Sequence, residues 1–176
     1  LVGVKTPLPA NKFSTTFKEK GKVYFFNRDA SGTWKTIATI NTYNDNQWHN
    51  FIGINDGTNL KMYADGVLVN SNTDGSVGNT NSYIQRIGAR WNGANAYSGL
   101  MDEFSYYNSD ISANASAIGS TIPTDLTPYS PLGWWRMGEA ATYAGGEWTL
   151  TDHGSGSNNG SSTTLPPEAI STDVPT

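Results

Sequence analysis

The sequence predicts an all-β protein: a two-sheet antiparallel β-sandwich of the jelly-roll kind, with one short helical turn and a Pro-linked C-terminal β extension. Three observations predict it. Short runs rich in aromatic and β-branched residues recur at close intervals, Asn, Asp or Gly bounds each of them, and a single stretch carries a helix signal. Asn, Gly, Ser and Thr supply 74 of the 176 residues and only 15% are charged, so the surface is hydroxyl and amide rather than ionic. A chain of this length buries roughly two thirds of its unfolded surface, enough for a core.

Taken in order, the strand signals are Lys22 to Phe26 (KVYFF), Trp34 to Thr39 (WKTIAT), Trp48 to Ile54 (WHNFIGI), Leu60 to Tyr63 (LKMY) and Val67 to Val69. Asp29-Ala30-Ser31-Gly32 and Asn55-Asp56-Gly57 break them. Asp65-Gly66 between LKMY and VLV has the chemistry of a two-residue hairpin, whose central residues need positive φ. Ile84 to Gly88 and Gly99 to Tyr107 (GLMDEFSYY) follow, the second placing Leu100, Asp102, Phe104 and Tyr106 on one face and Met101, Glu103, Ser105 and Tyr107 on the other. Ser112 caps the predicted helical turn over Ala113 to Ile118, and Gly119 ends it.

The organisation expected is an extended segment over 1–19, a sandwich over 20–122, a linker over 123–131 and a C-terminal β extension over 132–176. The linker, Pro123 to Pro131, holds three prolines and reads as stiff and extended.

Net charge −4 and a pI near 5.0 argue against nucleic acid, because neutralising phosphates needs a Lys/Arg cluster that this chain lacks. Membrane insertion is not expected, since no apolar run approaches a bilayer's thickness. Without cysteine there is no disulfide and no thiolate metal site. The start, LVGVKTPLPANK, has neither the charged beginning nor the apolar body of a signal peptide, and the chain opens at Leu1; it reads as an internal or processed piece of a longer protein.

Four motifs in order carry a family resemblance: Asp45-x-x-Trp48-His49, Tyr63-x-Asp65-Gly66-Val67, Ile87-Gly88-Ala89-Arg90, and Tyr97-Ser98-Gly99-x-Met101-Asp102-Glu103-Phe104-x-x-Tyr107. Over about residues 20 to 120 the chain resembles the laminin-G-like branch of the concanavalin A-like lectin/glucanase jelly rolls. The resemblance implies a two-sheet sandwich that binds surfaces or glycans rather than one that catalyses. The family's opening Ser-Phe-Asp-Gly-like segment, near its metal site, has no counterpart in the first twenty residues. Ca2+ is the metal the family allows, no ligand spacing supports it, and no cofactor is expected.

After the linker, Gly133-Trp134-Trp135-Arg136-Met137-Gly138-Glu139 and Thr151-Asp152-His153-Gly154-Ser155-Gly156-Ser157-Asn158-Asn159-Gly160 resemble the first strands of a second such unit. This pairing, with the Ser-Thr-Asp-Val-Pro ending, is similar to structural proteins of marine bacteriophages, where the module decorates capsid, tail or fibre. The resemblance implies a virion location and, as partners, other virion proteins, copies of the same chain or a host-surface glycan. A secreted or cell-surface carbohydrate-binding adhesin is the second reading, and a glycoside hydrolase of the same fold the third.

Residues expected to serve structure are Trp48, opening an alternating strand, Asp65 and Gly66 at the hairpin tip, and Asp102 and Phe104 on one strand face. Alternation puts Glu103 on the face opposite Asp102, so the two cannot act as a glycosidase pair, and no catalytic residue is expected. Ligand or partner contacts are expected from Trp91, Asn92, Asn95 and Tyr97, where aromatic rings lie between amides in a Gly-containing loop, and from the consecutive Trp134 and Trp135, which a strand points to opposite faces. The C-terminal unit is expected to add to the edge of a neighbouring subunit. His153 reads as a solvated loop residue, and Gly154-x-Gly156 lacks the context of a phosphate loop.

Overall fold

The computed structural model describes residues 2–6, 21–75, 87, 88, 97 and 99–172. At its centre is a six-stranded antiparallel sheet built from β1 (Val2–Thr6), β4 (His49–Asn55), β5 (Leu60–Ala64), β6 (Val67–Asn72), β7 (Asp102–Tyr106) and β8 (Gly133–Trp135), in the order β6-β5-β4-β1-β7-β8. A two-stranded hairpin, β2 (Tyr24–Arg28) with β3 (Trp34–Ala38), packs on one face of it. A second, three-stranded sheet comprises β9 (Thr142–Ala144), β10 (Glu147–Leu150) and β11 (Gly160–Ser162). The chain is thus the predicted all-β sandwich, with one short α-helix among the described residues, α1 (Ala115–Ile118).

β4 shows why the sheet has two cores. Its middle residues are buried on both faces, so the strand reads as a continuous apolar run rather than an alternation. Ile52 and Ile54 face one core with Tyr107, Ile111, Ala115, Ile118, Leu126 and Trp134. Phe51 faces the other, against Ala64. Beside it Leu60 and Met62 of β5 meet Ile37 of β3 and, less deeply buried, Phe25 of β2. Gly53 lies under the Phe25 ring, and a side chain there would displace it.

Several expectations give way to this arrangement. The extended segment 1–19 supplies the central strand: Val4 of β1 pairs with Phe51 of β4, and Gly3 with Ser105 of β7. Five residues whose partners lie far along the chain carry too little local signal to be placed from sequence. Trp48 is half-buried and lies just outside β4, which begins at His49, so it is not the core residue expected. Ser112 opens a 3-10 turn, Ser112–Asn114, ahead of α1; it caps nothing, and its hydroxyl donates to Asp110. The predicted strand over 84–88 falls mostly outside the described residues.

The linker is packed rather than extended. Leu126 is buried, Thr127–Tyr129 forms a 3-10 turn, and Ser130 leaves it in the left-handed region. Leu132 N–H then donates to the Tyr106 carbonyl, which delivers β8 to the edge of β7. There Trp135 pairs with Phe104 and Trp134 with Ser105. Both indoles are buried, at 6% and 7% exposure. Trp134 joins the helix-side core, and Trp135 leans on Phe104 of the other face, ring centroids 5.9 Å apart. The two tryptophans do serve two surfaces, but both belong to their own chain, and the expected addition to a neighbour's edge is corrected accordingly.

Candidate functional site

Between Gly3 and Lys5 of β1, two steps along one strand match three along β7, from Ser105 to Asp102. The extra residue makes a β-bulge, and Glu103 sits there at φ 52°, in the left-handed region. A bulge resets side-chain direction. The alternation that separates Asp102 from Glu103 therefore fails, and one carboxylate oxygen from each of Asp102, Glu103 and Glu139 lies within 4.8 Å of the others.

Three carboxylates this close need a cation, and Arg136 supplies it. Its Nε donates to Glu103 Oε1 at 3.0 Å, and Nη2 donates to Glu139 Oε1 at 3.0 Å. The second oxygen of Glu103 accepts from Trp134 Nε1 at 2.7 Å, and Asp102 Oδ1 accepts from the Glu103 N–H at 2.8 Å. Burial disfavours the guanidinium's charge, but Glu103, Glu139 and Asp102 together raise its pKa above the ordinary value. The Arg136 guanidinium also lies over the Trp134 ring, 5.5 Å from its centroid, a cation–π contact. Because strand alternation puts residues 134 and 136 on one face, the WWR sequence delivers both groups to Glu103. Glu103 itself is only 4% exposed. The result is a fastening between β7 and the C-terminal segment in which one guanidinium offsets part of the charge of three carboxylates.

A second node fixes the hairpin tip. Asp65 (φ 50°) and Gly66 (φ 77°) make the turn between β5 and β6, both with the positive φ such a turn requires. Gly66 is needed for space as well, since a Cβ there would come 2.8 Å from the Ser116 carbonyl oxygen. Asp65 Oδ1 accepts from the Asn50 N–H at 2.9 Å. His49 bridges two carboxylates, Nδ1 to Asp65 Oδ2 at 2.8 Å and Nε2 to Asp45 Oδ1 at 3.0 Å. Burial opposes its charge, while the two carboxylates raise its pKa above the ordinary value.

A third carboxylate anchors the C-terminal loop. Asp152 Oδ1 accepts from the N–H groups of Trp134 and Gly154, and Oδ2 accepts from that of Asn158, each at 2.8 Å. His153 beside it is exposed, its ring 5.6 Å from that of Trp134.

Of the residues expected to contact a ligand or partner, Trp91, Asn92 and Asn95 lie outside the described residues. Tyr97 is half-buried and packs toward Phe51 and Ala64; burial pushes its hydroxyl pKa up to about 12. Phe104 is buried at the bulged strand, paired with Trp135. Sequence reasoning missed Arg136, Glu139, His49 and Asp45 as members of charged nodes. The available signal was the spacing Trp134-x-Arg136 and the His next to Trp48; what it lacked was the bulge that turns Glu103 toward them.

Antiparallel sheets packed as an all-β sandwich are the architecture of the lectin-like jelly rolls. A laminin-G-type model of the concanavalin A-like lectin/glucanases superfamily matches residues 5–115, and the chain belongs to that superfamily. The match takes in only Lys5 and Thr6 of β1 and ends at the start of α1, before β8. No curated protein matches the chain.

Proposed function

We propose that this chain is a non-enzymatic contact module of a virion surface, a decoration, tail or fibre component. The observation that carries the non-catalytic part is the state of Glu103. In a glycosidase of this fold, two carboxylates must reach the sugar, one to give a proton and one to attack or activate water. Here both oxygens of the buried Glu103 are engaged, by the Trp134 indole and by Arg136, and the same guanidinium holds Glu139. These groups join the superfamily sandwich to the WWRMGE segment. The virion assignment rests on the likeness of that segment and of the chain's ending to phage structural proteins; the packing of β8 into the sheet supports treating the two parts as one module.

The test has two arms. Purified chain is incubated with β-glucans and reducing ends are counted: no turnover is expected, and turnover abolished by Glu103→Gln overturns the non-catalytic reading. Antibody against the chain is then used on density-gradient fractions of a producing culture. Signal in the particle band is expected, and signal confined to free soluble protein overturns the virion reading.

A further inference from the structure

Glycine follows asparagine twice in the chain, at Asn92-Gly93 and at Asn159-Gly160, and the second pair lies within the described residues. The fold does not account for Gly160. Its φ is outside the left-handed region, and a Cβ there would meet only Leu150 Cβ at 3.6 Å, Leu150 Cδ1 at 3.7 Å and Trp135 Nε1 at 3.9 Å, which are ordinary contacts. Gly66, by contrast, needs both its positive φ and its space. Asn159 is exposed, at the end of the 152–159 loop and just before β11 opens at Gly160. Its Oδ1 accepts the Asp152 N–H at 3.0 Å, and its Nδ2 has no hydrogen-bond partner among the described residues.

We propose that Asn159 is a site of spontaneous deamidation, and that its conversion to isoaspartate loosens the loop fastening the C-terminal segment. The Gly160 amide nitrogen attacks Asn159 Cγ and closes a five-membered succinimide. The Cγ–Nδ2 bond breaks, and ammonia leaves with the proton that the attacking nitrogen carried. Water then opens the ring at either carbonyl, giving aspartate or isoaspartate, so the net change is water taken up and ammonia lost, with no oxidant or reductant. The site favours the first step. Glycine offers no side chain to obstruct the attack of its own nitrogen. The Asp152 N–H already points at the oxygen on which negative charge develops, as an oxyanion donor does. Gly160 pairs with Leu150 at the very end of the β10–β11 ladder, where opening costs least. The consequence follows from what the loop holds. Asp152 accepts from the N–H groups of Trp134, Gly154 and Asn158, and the Asn158 carbonyl accepts from Trp135 Nε1 at 3.0 Å. Isoaspartate routes the backbone through Cβ and Cγ, which adds a methylene between Asn158 and Gly160 and shifts both contacts. It also sets a new carboxylate in the loop that Asp152 anchors, and like charges repel. The inference concerns this loop alone and stands whether or not the chain belongs to a virion.

The test ages the intact chain at mildly acidic and mildly alkaline pH, samples it over weeks, and maps its peptides by mass spectrometry, with isoaspartyl methyltransferase labelling the isomerised product. The peptide carrying residue 159 is expected to gain the mass of an exchange of NH2 for OH and to take the label. Conversion should run faster at alkaline pH, because the attacking nitrogen must lose its proton, and the aged chain should melt at a lower temperature. Gly160→Ala, which the packing accommodates, should slow conversion about tenfold or more and hold the melting temperature on ageing. A chain that keeps Asn159 intact while a free peptide of residues 155–163 converts overturns the inference, and this comparison needs no variant to fold. Conversion confined to Asn92 overturns it as well, as do equal rates in parent and Gly160→Ala. Conversion at Asn159 with an unmoved melting temperature overturns the loosening. A failure here leaves the particle-fraction experiment untouched, so the two readings fall separately.

Discussion

Asp65 and His49 meet across sixteen residues: Nδ1 of the histidine lies 2.8 Å from Oδ2 of the aspartate, while Nε2 reaches Asp45 at 3.0 Å. A neutral imidazole has one N–H and cannot donate to both carboxylates. The doubly protonated ring can, so the geometry is that of an imidazolium clamped between the hairpin tip and the 41–48 loop.

This clamp makes stability depend on pH with a definite sign. His49 has a folded pKa raised above its ordinary 6.5. Its contribution is therefore full below about pH 6.5 and is lost as pH rises through the folded value. Urea midpoints measured from pH 5 to 9 should fall on the alkaline side, and His49→Gln should flatten that fall. An equal slope in the variant would assign it to other groups.

Glu103→Ala removes two acceptors from one buried position. The Trp134 N–H is left without its partner, and Arg136 loses its ion pair. A loss of about 2–3 kcal/mol is expected. Glu103→Gln keeps an acceptor for the indole and should cost less, which chemical denaturation of the two variants compares directly.

Calcium should leave the melting temperature unchanged. Arg136 and the Trp134 indole already occupy both oxygens of Glu103, and the same guanidinium holds Glu139, so an ion would have to displace them. A rise in melting temperature on adding Ca2+, reversed by chelator, would show that the guanidinium yields the site.

Deleting residues 130 to 176 strips β8 from the edge of β7 and uncovers both cores where the two tryptophans sit. An unpaired apolar edge aggregates. The truncated chain should precipitate or elute as aggregate on size exclusion, and recovery of a soluble monomer of unchanged melting temperature would contradict the placement of β8.

Gly53→Ala puts a methyl group into the Phe25 ring. Overpacking of this kind costs about 1–3 kcal/mol. Because Phe25 holds the β2–β3 hairpin down, proteolysis should first cut within residues 21–38. A variant that melts like the parent would show that the ring has room to move.

The sequence by itself determined the strand-rich class, the Asp65-Gly66 turn, the short helix near Ala115–Ile118 and the family motifs, because each depends on neighbours within a few residues: β-branched and aromatic runs, residues tolerating positive φ, and a short apolar turn ended by Gly119. The tertiary structure decided what distant partners impose. Val2–Thr6 becomes the central strand only because β4 and β7 flank it, and Trp134-Trp135 closes the sheet only because the turn at Thr127–Tyr129 returns the chain to Tyr106. The bulge at Glu103 exists only in the mismatch between β1 and β7; alternation along a single strand cannot register an extra residue that pairing with another strand creates. That one residue turned a carboxylate expected on the far face toward Arg136 and Trp134, and so fixed the C-terminal segment to the sandwich.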